Sequence, residues 1–447
     1  MKNQTNIRSK QVEGSSKSTT KKGDSTKMPL RGYLASKKGV LVLAVAALLT
    51  LPSCEDETAS PAPPVTNPPE ATGNILVKVT TVGGDDDPDG YTITVQGIAP
   101  VEVDPNGETS FSSQRVGRYQ VELSGIASHC AGTGNMVREV NVTANGTATV
   151  EFEVGCRAIL RDRIVYAKGR DQNFSDWKIY SSKLDGTDER VIFDQVISVS
   201  STTRISPDGT KLAFSDREGE TFIQRVYVMD VDGENLKTVP FIPNDNPNLT
   251  SQFGPVWHPD GKKVSFRNGV KLVTYDLEAE ERTEIDFTNE DIFIANDVTD
   301  DGKRFLGIRA INRPGETASQ ALVTMNIDGS DIQTVNEGAL FINPRLGKDN
   351  TVYYLKRLSS RNDQDEIWQV NLDGTGDVKI SDRMGLTPGM ILRSFTLSPD
   401  RSEFLIYTAI GFDYPLVRTR IDGPAQTIVF PEAGLRVNPV WSPVTRE

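Results

Sequence analysis

The chain has 447 residues, 37% of them apolar, 25% charged and 7% aromatic, with a formal net charge of −12. That composition is too apolar for a disordered chain, and the length allows two or three domains. Only two histidines, His129 and His258, and three cysteines, Cys54, Cys130 and Cys156, are present. This leaves no room for a multi-histidine metal site or a cysteine-rich zinc module, speaks against a catalytic histidine network, and no cofactor is expected.

Charge is unevenly placed. Residues 1–53 hold ten Lys or Arg against two Asp or Glu, while the remainder holds 39 against 59, a balance of −20. An acidic body of that size repels polyphosphate, so nucleic acid is not an expected partner. Within the basic start, Lys37 and Lys38 precede an apolar run over 40–49. The run is too short to span a bilayer, which needs about 20 apolar residues, and it suits the apolar core of a secretory signal. It ends in Leu51-Pro52-Ser53-Cys54, which resembles the lipobox of bacterial lipoproteins, with Pro52 a departure from it. The resemblance implies cleavage before Cys54 and acylation of its thiol and new amino group. Several acyl chains anchor a protein stably where one does not. The alternative is an ordinary cleaved signal with Cys54 incidental. A start at Met28 would give a leader of ordinary length.

Residues 54–72 follow as an acidic and proline-rich segment, Glu55-Asp56-Glu57 and then Pro61, Pro63, Pro64, Pro68 and Pro69. Such sequence buries no core and acts as a semi-rigid spacer, which would hold a folded body off a membrane. The acidic triplet resembles the export tags of some surface lipoproteins.

Residues 73–156 form the first folded unit. Apolar residues alternate at Ile75, Val77 and Val79; at Tyr91, Ile93 and Val95; at Tyr119, Val121 and Leu123; at Val140 and Val142; and at Val150, Phe152 and Val154. Period two marks half-buried strands. Asp104-Pro105-Asn106-Gly107 and Asn145-Gly146 are expected as hairpin tips. About seven short strands predict a small β-sandwich, similar in pattern to the carboxypeptidase-regulatory modules of bacterial surface proteins. With Cys54 lipidated, Cys130 and Cys156 are left to pair as a disulfide in an oxidising compartment, a free thiol pair being the alternative. Asp85, Asp87 and Asp89, followed by Gly90, match the opening of a calcium loop. However, Gln96 stands at its twelfth position and a strand follows, so an acidic turn is the simpler reading.

Residues 157–447 repeat. Ser206-Pro207-Asp208-Gly209 leads into Lys211-Leu212-Ala213-Phe214, and then Val226-Tyr227-Val228-Met229-Asp230 leads to Asp232-Gly233. The first turn returns at Pro259-Asp260-Gly261, Asp300-Asp301-Gly302, Lys348-Asp349-Asn350 and Ser398-Pro399-Asp400. The second returns at Asp185-Gly186, Asp328-Gly329, Asp373-Gly374 and Asp422-Gly423, with Leu277-Glu278-Ala279 a degenerate copy. A period near 48 predicts six units of four strands. A lone four-stranded sheet cannot cover its own faces, whereas sheets packed radially cover each other, so the expected architecture is a six-bladed β-propeller. The first copy starts at Arg163-Ile164-Val165-Tyr166 without a preceding strand, and the chain finishes with Asn438-Pro439-Val440-Trp441-Ser442-Pro443. The last strand is therefore expected to complete the first blade. The repeat string, clearest over 204–232, resembles the WD40-like repeats of the TolB propeller family. The resemblance implies a propeller of the bacterial envelope that binds other proteins; the N-terminal unit and the expected lipid anchor differ from TolB itself.

The repeat residues read as structural: Pro, Asp and Gly are turn chemistry, Trp257 and Trp441 are expected between blades, His258 as a tolerated turn residue and His129 in a loop. No Gly-x-Ser-x-Gly, His-Glu-x-x-His, phosphate-loop or dinucleotide fingerprint occurs. Related propellers precede peptidase domains, and none is expected after Glu447. Arg204, Asp297 and Arg345 lie on expected inner strands as candidate channel-lining polar residues, and the segments 240–254 and 384–392 as recognition loops. The reading is an all-β, monomeric, lipid-anchored envelope protein whose propeller binds or scaffolds a protein or glycan. The alternatives are a hydrolase acting on glycan or peptide through channel carboxylates, or a purely architectural spacer.

Overall fold

The computed structural model describes residues 70–169, 176–198, 202–218, 223–240, 251–288, 291–312, 319–357, 365–387, 389–409, 414–423, 426–430 and 435–443. The leader, Cys54, the linker up to residue 69 and most of the 240–254 segment lie outside them. No helix among the described residues is long and apolar enough to cross a membrane.

The first unit is a sandwich of eight strands, β1 (Thr72–Gly83), β2 (Tyr91–Val95), β3 (Val101–Val103), β4 (Glu108–Arg115), β5 (Gly117–Ser124), β6 (Cys130–Gly132), β7 (Val137–Val142) and β8 (Thr147–Cys156). They form two sheets, ordered β4-β1-β8-β6 and β3-β2-β5-β7. The alternation read from the sequence lands on the inner faces: Ile75, Val77, Ile93, Val95, Val121 and Val154 are fully buried between the sheets. The two expected hairpin tips are corrected. Asp104 to Gly107 joins β3 to β4, and Asn145-Gly146 joins β7 to β8, and each turn carries the chain from one sheet to the other. Their turn chemistry is as expected, with Asn106 and Asn145 at positive φ; a tight turn specifies a reversal, not which strand the next one pairs with. β8 pairs with β1 in parallel register, from Asn74 with Thr147 to Gly83 with Cys156, and with β6 antiparallel on its other side.

The second unit is a six-bladed β-propeller, six four-stranded antiparallel sheets. Their inner strands are Arg436–Trp441 (blade one), Thr203–Ile205, Gln252–Trp257, Asp291–Val298, Leu340–Leu346 and Ile391–Leu397 (blade six). Each touches the next, the last returning to the first, so they line a closed ring. Blade one joins Arg436–Trp441 to Arg163–Lys168, with Trp441 opposite Ile164 and Val437 opposite Ala167. Apolar burial lies between blades, as the radial argument requires: one cluster joins blades one and two, and so on round to Leu405, Leu416 and Val429 of blade six against Ile164, Tyr166 and Trp441 of blade one.

The repeated turns do more than reverse the chain. In the second turn the aspartate accepts the amide two residues on, Asp185 from Thr187, Asp232 from Glu234, Asp328 from Ser330 and Asp373 from Thr375. In the degenerate copy Asp276 takes over, accepting from Glu278 and Ala279. The turn glycine fits against the preceding blade: a Cβ on Gly233 would lie 2.3 Å from the carbonyl oxygen of Ile192, and one on Gly186 2.3 Å from that of Val429. Both sit at positive φ as well. Trp257 also bridges blades, its indole N–H donating to the Arg204 carbonyl at 3.2 Å.

Sandwich and propeller meet where β8 runs on into blade one. Cys130 and Cys156 are joined by a disulfide across β6 and β8. Beyond it, the Leu160 amide donates to Gly209 O and its carbonyl accepts the Ser442 hydroxyl. This residue thus links blade two's first turn to the closing strand.

Candidate functional site

Every inner strand runs toward a Ser-Pro-Asp-Gly-type turn, so the strand starts face the opposite rim. Counting two residues back from the Ser, His, Thr or Gly that opens each turn gives one ring position per blade: Val440, Arg204, Val256, Asp297, Arg345 and Thr396. The three candidates Arg204, Asp297 and Arg345 therefore occupy equivalent places in blades two, four and five. The structure brings them within electrostatic reach of one another. Protein surrounds both guanidinium groups, yet each residue is only half-buried. Burial pushes the Arg204 pKa well down, the positive charge of Arg345 adds to that, and Asp297 opposes it. Burial likewise lowers Arg345, against Asp297.

Asp297 does not neutralise the pair by direct contact. Its two carboxylate oxygens accept the backbone amides of Val298 at 3.0 Å and of Leu346, on the next blade, at 3.0 Å. Arg345 donates through Nη1 to the Asn296 carbonyl and to the Pro344 carbonyl at 3.4 Å, leaving its other guanidinium nitrogens without an acceptor among the described residues. Arg204 donates to the carbonyl of its neighbour Thr203 at 2.9 Å. A guanidinium carries five N–H donors, so most of those on Arg204 have no acceptor among the described residues.

Sequence reasoning missed Arg401. It stands where other copies of the turn place Gly209, Gly261 or Gly302, and it holds the same left-handed backbone at φ 53°. An arginine in a glycine slot was the signal available. Its side chain reaches across the turns of three blades, donating to the Asp300 carboxylate of blade four and to the Gly347 carbonyl of blade five. Those contacts offset a backbone conformation that costs a non-glycine residue about 1 kcal/mol or more. The aspartate pair thus engages backbone amides and Arg401, while two exposed apolar residues, Phe253 (39% exposed) and Leu340 (46%), stand at the starts of inner strands on the opposite rim.

The other candidates fall elsewhere. Asp85 accepts the Ile159 amide at 2.7 Å, and Asp87 accepts the Ala127 amide at 2.6 Å. Asp87 is fully buried, and burial raises its pKa, with Asp89 adding and the Ala127 amide opposing. Asp85 and Asp87 therefore brace the turn between β1 and β2 through separate amides, with Asp89 beside Asp87. Among the described residues, the group with metal-ligand atoms within 4.8 Å of each other is His129, Cys130 and Cys156. Both sulfurs are in the disulfide and hold no thiolate to donate, while His129 Nε2 is bonded to the Asp85 carbonyl. His258 is more than a turn residue: its Nε2 lies 2.7 Å from the Ser265 hydroxyl, itself 2.7 Å from that of Thr274. Ser265 is fully buried, so this relay supports the blade and offers no accessible nucleophile.

The class defined by these features is a closed six-bladed β-propeller carrying a β-sandwich. No family model and no curated protein matches the chain. Among solved structures it is similar to TolB from Acinetobacter baumannii, at 18% identity and a TM-score of 0.49, over 64% of this chain and 68% of that one. It is also similar to an oligogalacturonate lyase from Vibrio parahaemolyticus, at 17% identity and a TM-score of 0.39, over 51% and 63%. A third is the propeller domain of the trilobed protease from Pyrococcus furiosus, at 14% identity and a TM-score of 0.37, over 57% and 79%. Likeness at this level concerns architecture, and the propeller assignment stands on the sheet topology itself.

Proposed function

We propose that the chain is a lipid-anchored protein of the bacterial envelope whose propeller is a non-catalytic recognition module for a protein or glycan. The observation that carries the reading is the state of Asp297, at the ring position, and of Asp300, on the exposed turn that follows it. Glycoside or peptide hydrolysis by carboxylates needs one acid shielded and one free to attack or activate water. Asp297 is held by two backbone amides and Asp300 by Arg401, which leaves neither positioned for that work. Phe253 and Leu340 on the rim supply apolar surface of the kind that marks recognition sites. The cysteine arithmetic fits an oxidising compartment, and the lipobox-like string ending in Cys54 fits an anchor.

Two measurements test this. Growth with a labelled fatty acid should acylate the wild type and leave Cys54→Ala unlabelled; an unlabelled wild type removes the anchor. Tethered protein should capture a partner from envelope extracts that a Phe253→Asp, Leu340→Asp double variant loses. Turnover of a glycan or peptide panel, abolished by Asp297→Asn, would instead establish the hydrolase.

A further inference from the structure

The ring position two residues before each turn shows what the fold itself requires. In blades one and three it is filled by Val440 and Val256, both buried. The architecture therefore accepts an aliphatic residue there, and blades two and five carry arginine instead. Two guanidinium groups enclosed by protein repel each other, and burying like charges lowers stability unless something compensates. The compensation inside the chain is incomplete. Asp297 is bonded to amides, and Arg401 is already matched by Asp300. Asp297 is the carboxylate that acts on both of these guanidinium groups, and two arginines against that one aspartate leave one positive charge. The neighbouring Asn296 adds a buried side-chain oxygen without a partner, and an amide turned over would present a donor there.

We propose that the bore is an oxyanion site in which Arg204 and Arg345, with donors still free, clamp a single carboxylate or phosphate group of the ligand the propeller receives. The proposal rests on the recognition reading and deepens it by naming the group recognised. Forked guanidinium donors match the planar or tetrahedral oxygens of such groups, and charge-assisted bonds are about twice as strong as neutral ones. The acidic exterior selects for compactness: a polyanion is repelled by a body of balance −20, whereas one small anionic group meets a local positive field once inside.

The test uses the full chain, purified, with calorimetric titration of inorganic phosphate and of acetate against chloride at matched ionic strength. The two arms separate the phosphate source from the carboxylate source. Saturable binding of at least one is expected, weakened about tenfold or more in Arg204→Gln and in Arg345→Gln, and unchanged in Arg118→Gln on the sandwich. The double variant Arg204→Met, Arg345→Met should melt above the wild type in chloride alone, because the repulsion is gone, and should show no anion-dependent rise. Should a variant fail to fold, arginine modification of the wild type by phenylglyoxal, mapped by mass spectrometry, provides the same decision: the bound anion must protect Arg204 and Arg345. Absence of saturable binding, equal binding in the variants, or no protection overturns the proposal. Anion binding without partner capture would remove the recognition reading alone, and capture without anion binding would remove this one alone.

Discussion

Trp441→Ala tests the closure of the ring. Trp441 is 6% exposed and packs among Ile164, Tyr166, Leu405 and Leu416, between the last blade and the first. A tryptophan buries about 150–250 Å², which at about 25 cal/mol per Å² is at most about 4–6 kcal/mol. Residual burial in the unfolded chain reduces that by roughly 10–40%, giving about 3–5 kcal/mol, the range of large-to-small core changes. Trp257 is the matched control, 7% exposed at the equivalent place in blade three. Its strand is carried by chain continuing on both sides within the ring. The strand of Trp441 is held to blade one by its pairing with Arg163–Lys168 and by Ser442. Both variants should lose similar global stability in guanidinium unfolding. Hydrogen exchange should differ: in Trp441→Ala the amides of Arg436–Trp441 and Arg163–Lys168 should exchange through a local opening, and in Trp257→Ala the matching amides should not. The same exchange pattern in both variants, or a loss below about 1 kcal/mol for Trp441→Ala, would refute the clasp.

Gly233→Ala should destabilise by about 1–3 kcal/mol, since its Cβ would meet the Ile192 carbonyl; Gly423→Ala, where nothing lies within 4 Å, should fall within about 0.5 kcal/mol of wild type by urea unfolding. Replacing Cys130 and Cys156 by serine opens a sequence separation of 26 residues and should cost about 3.5 kcal/mol on the chain-entropy model; an unchanged midpoint would refute that. Burial holds the His258 pKa below its ordinary 6.5, with Asp260 opposing. The unfolded chain then binds the proton first, so the stability contributed is complete above about pH 6.5 and is lost as pH falls toward the native value, at no more than about 1.4 kcal/mol per pH unit. The urea midpoint should drop less between pH 7.5 and pH 5.5 in His258→Ser than in the wild type, and equal drops would refute the assignment.

What the sequence alone determined is local and periodic. Alternation at Ile75, Val77 and Val79 specifies a strand face, and Asp-Gly at a period near 48 specifies turns and repeats, because both depend on residues a few places apart. The repeat also implied closure, since the first copy starts at Arg163 without a preceding strand and the strand ending in Trp441 follows the last copy. The tertiary structure decided what depends on residues far apart in the chain. Turn chemistry at Asn106 and Asn145 says nothing about a change of sheet or a parallel partner for β8. Asp85 and Asp87 match both an acidic turn and the opening of a ligand string in the sequence because their amide partners, Ile159 and Ala127, are 74 and 40 residues away. Arg204, Asp297 and Arg345 were legible as inner-strand polar residues, but their mutual field, the amides on Asp297 and the reach of Arg401 exist only once six blades close. Short-range preferences act along the chain, whereas burial and charge act through space, and only the closed ring fixes those distances.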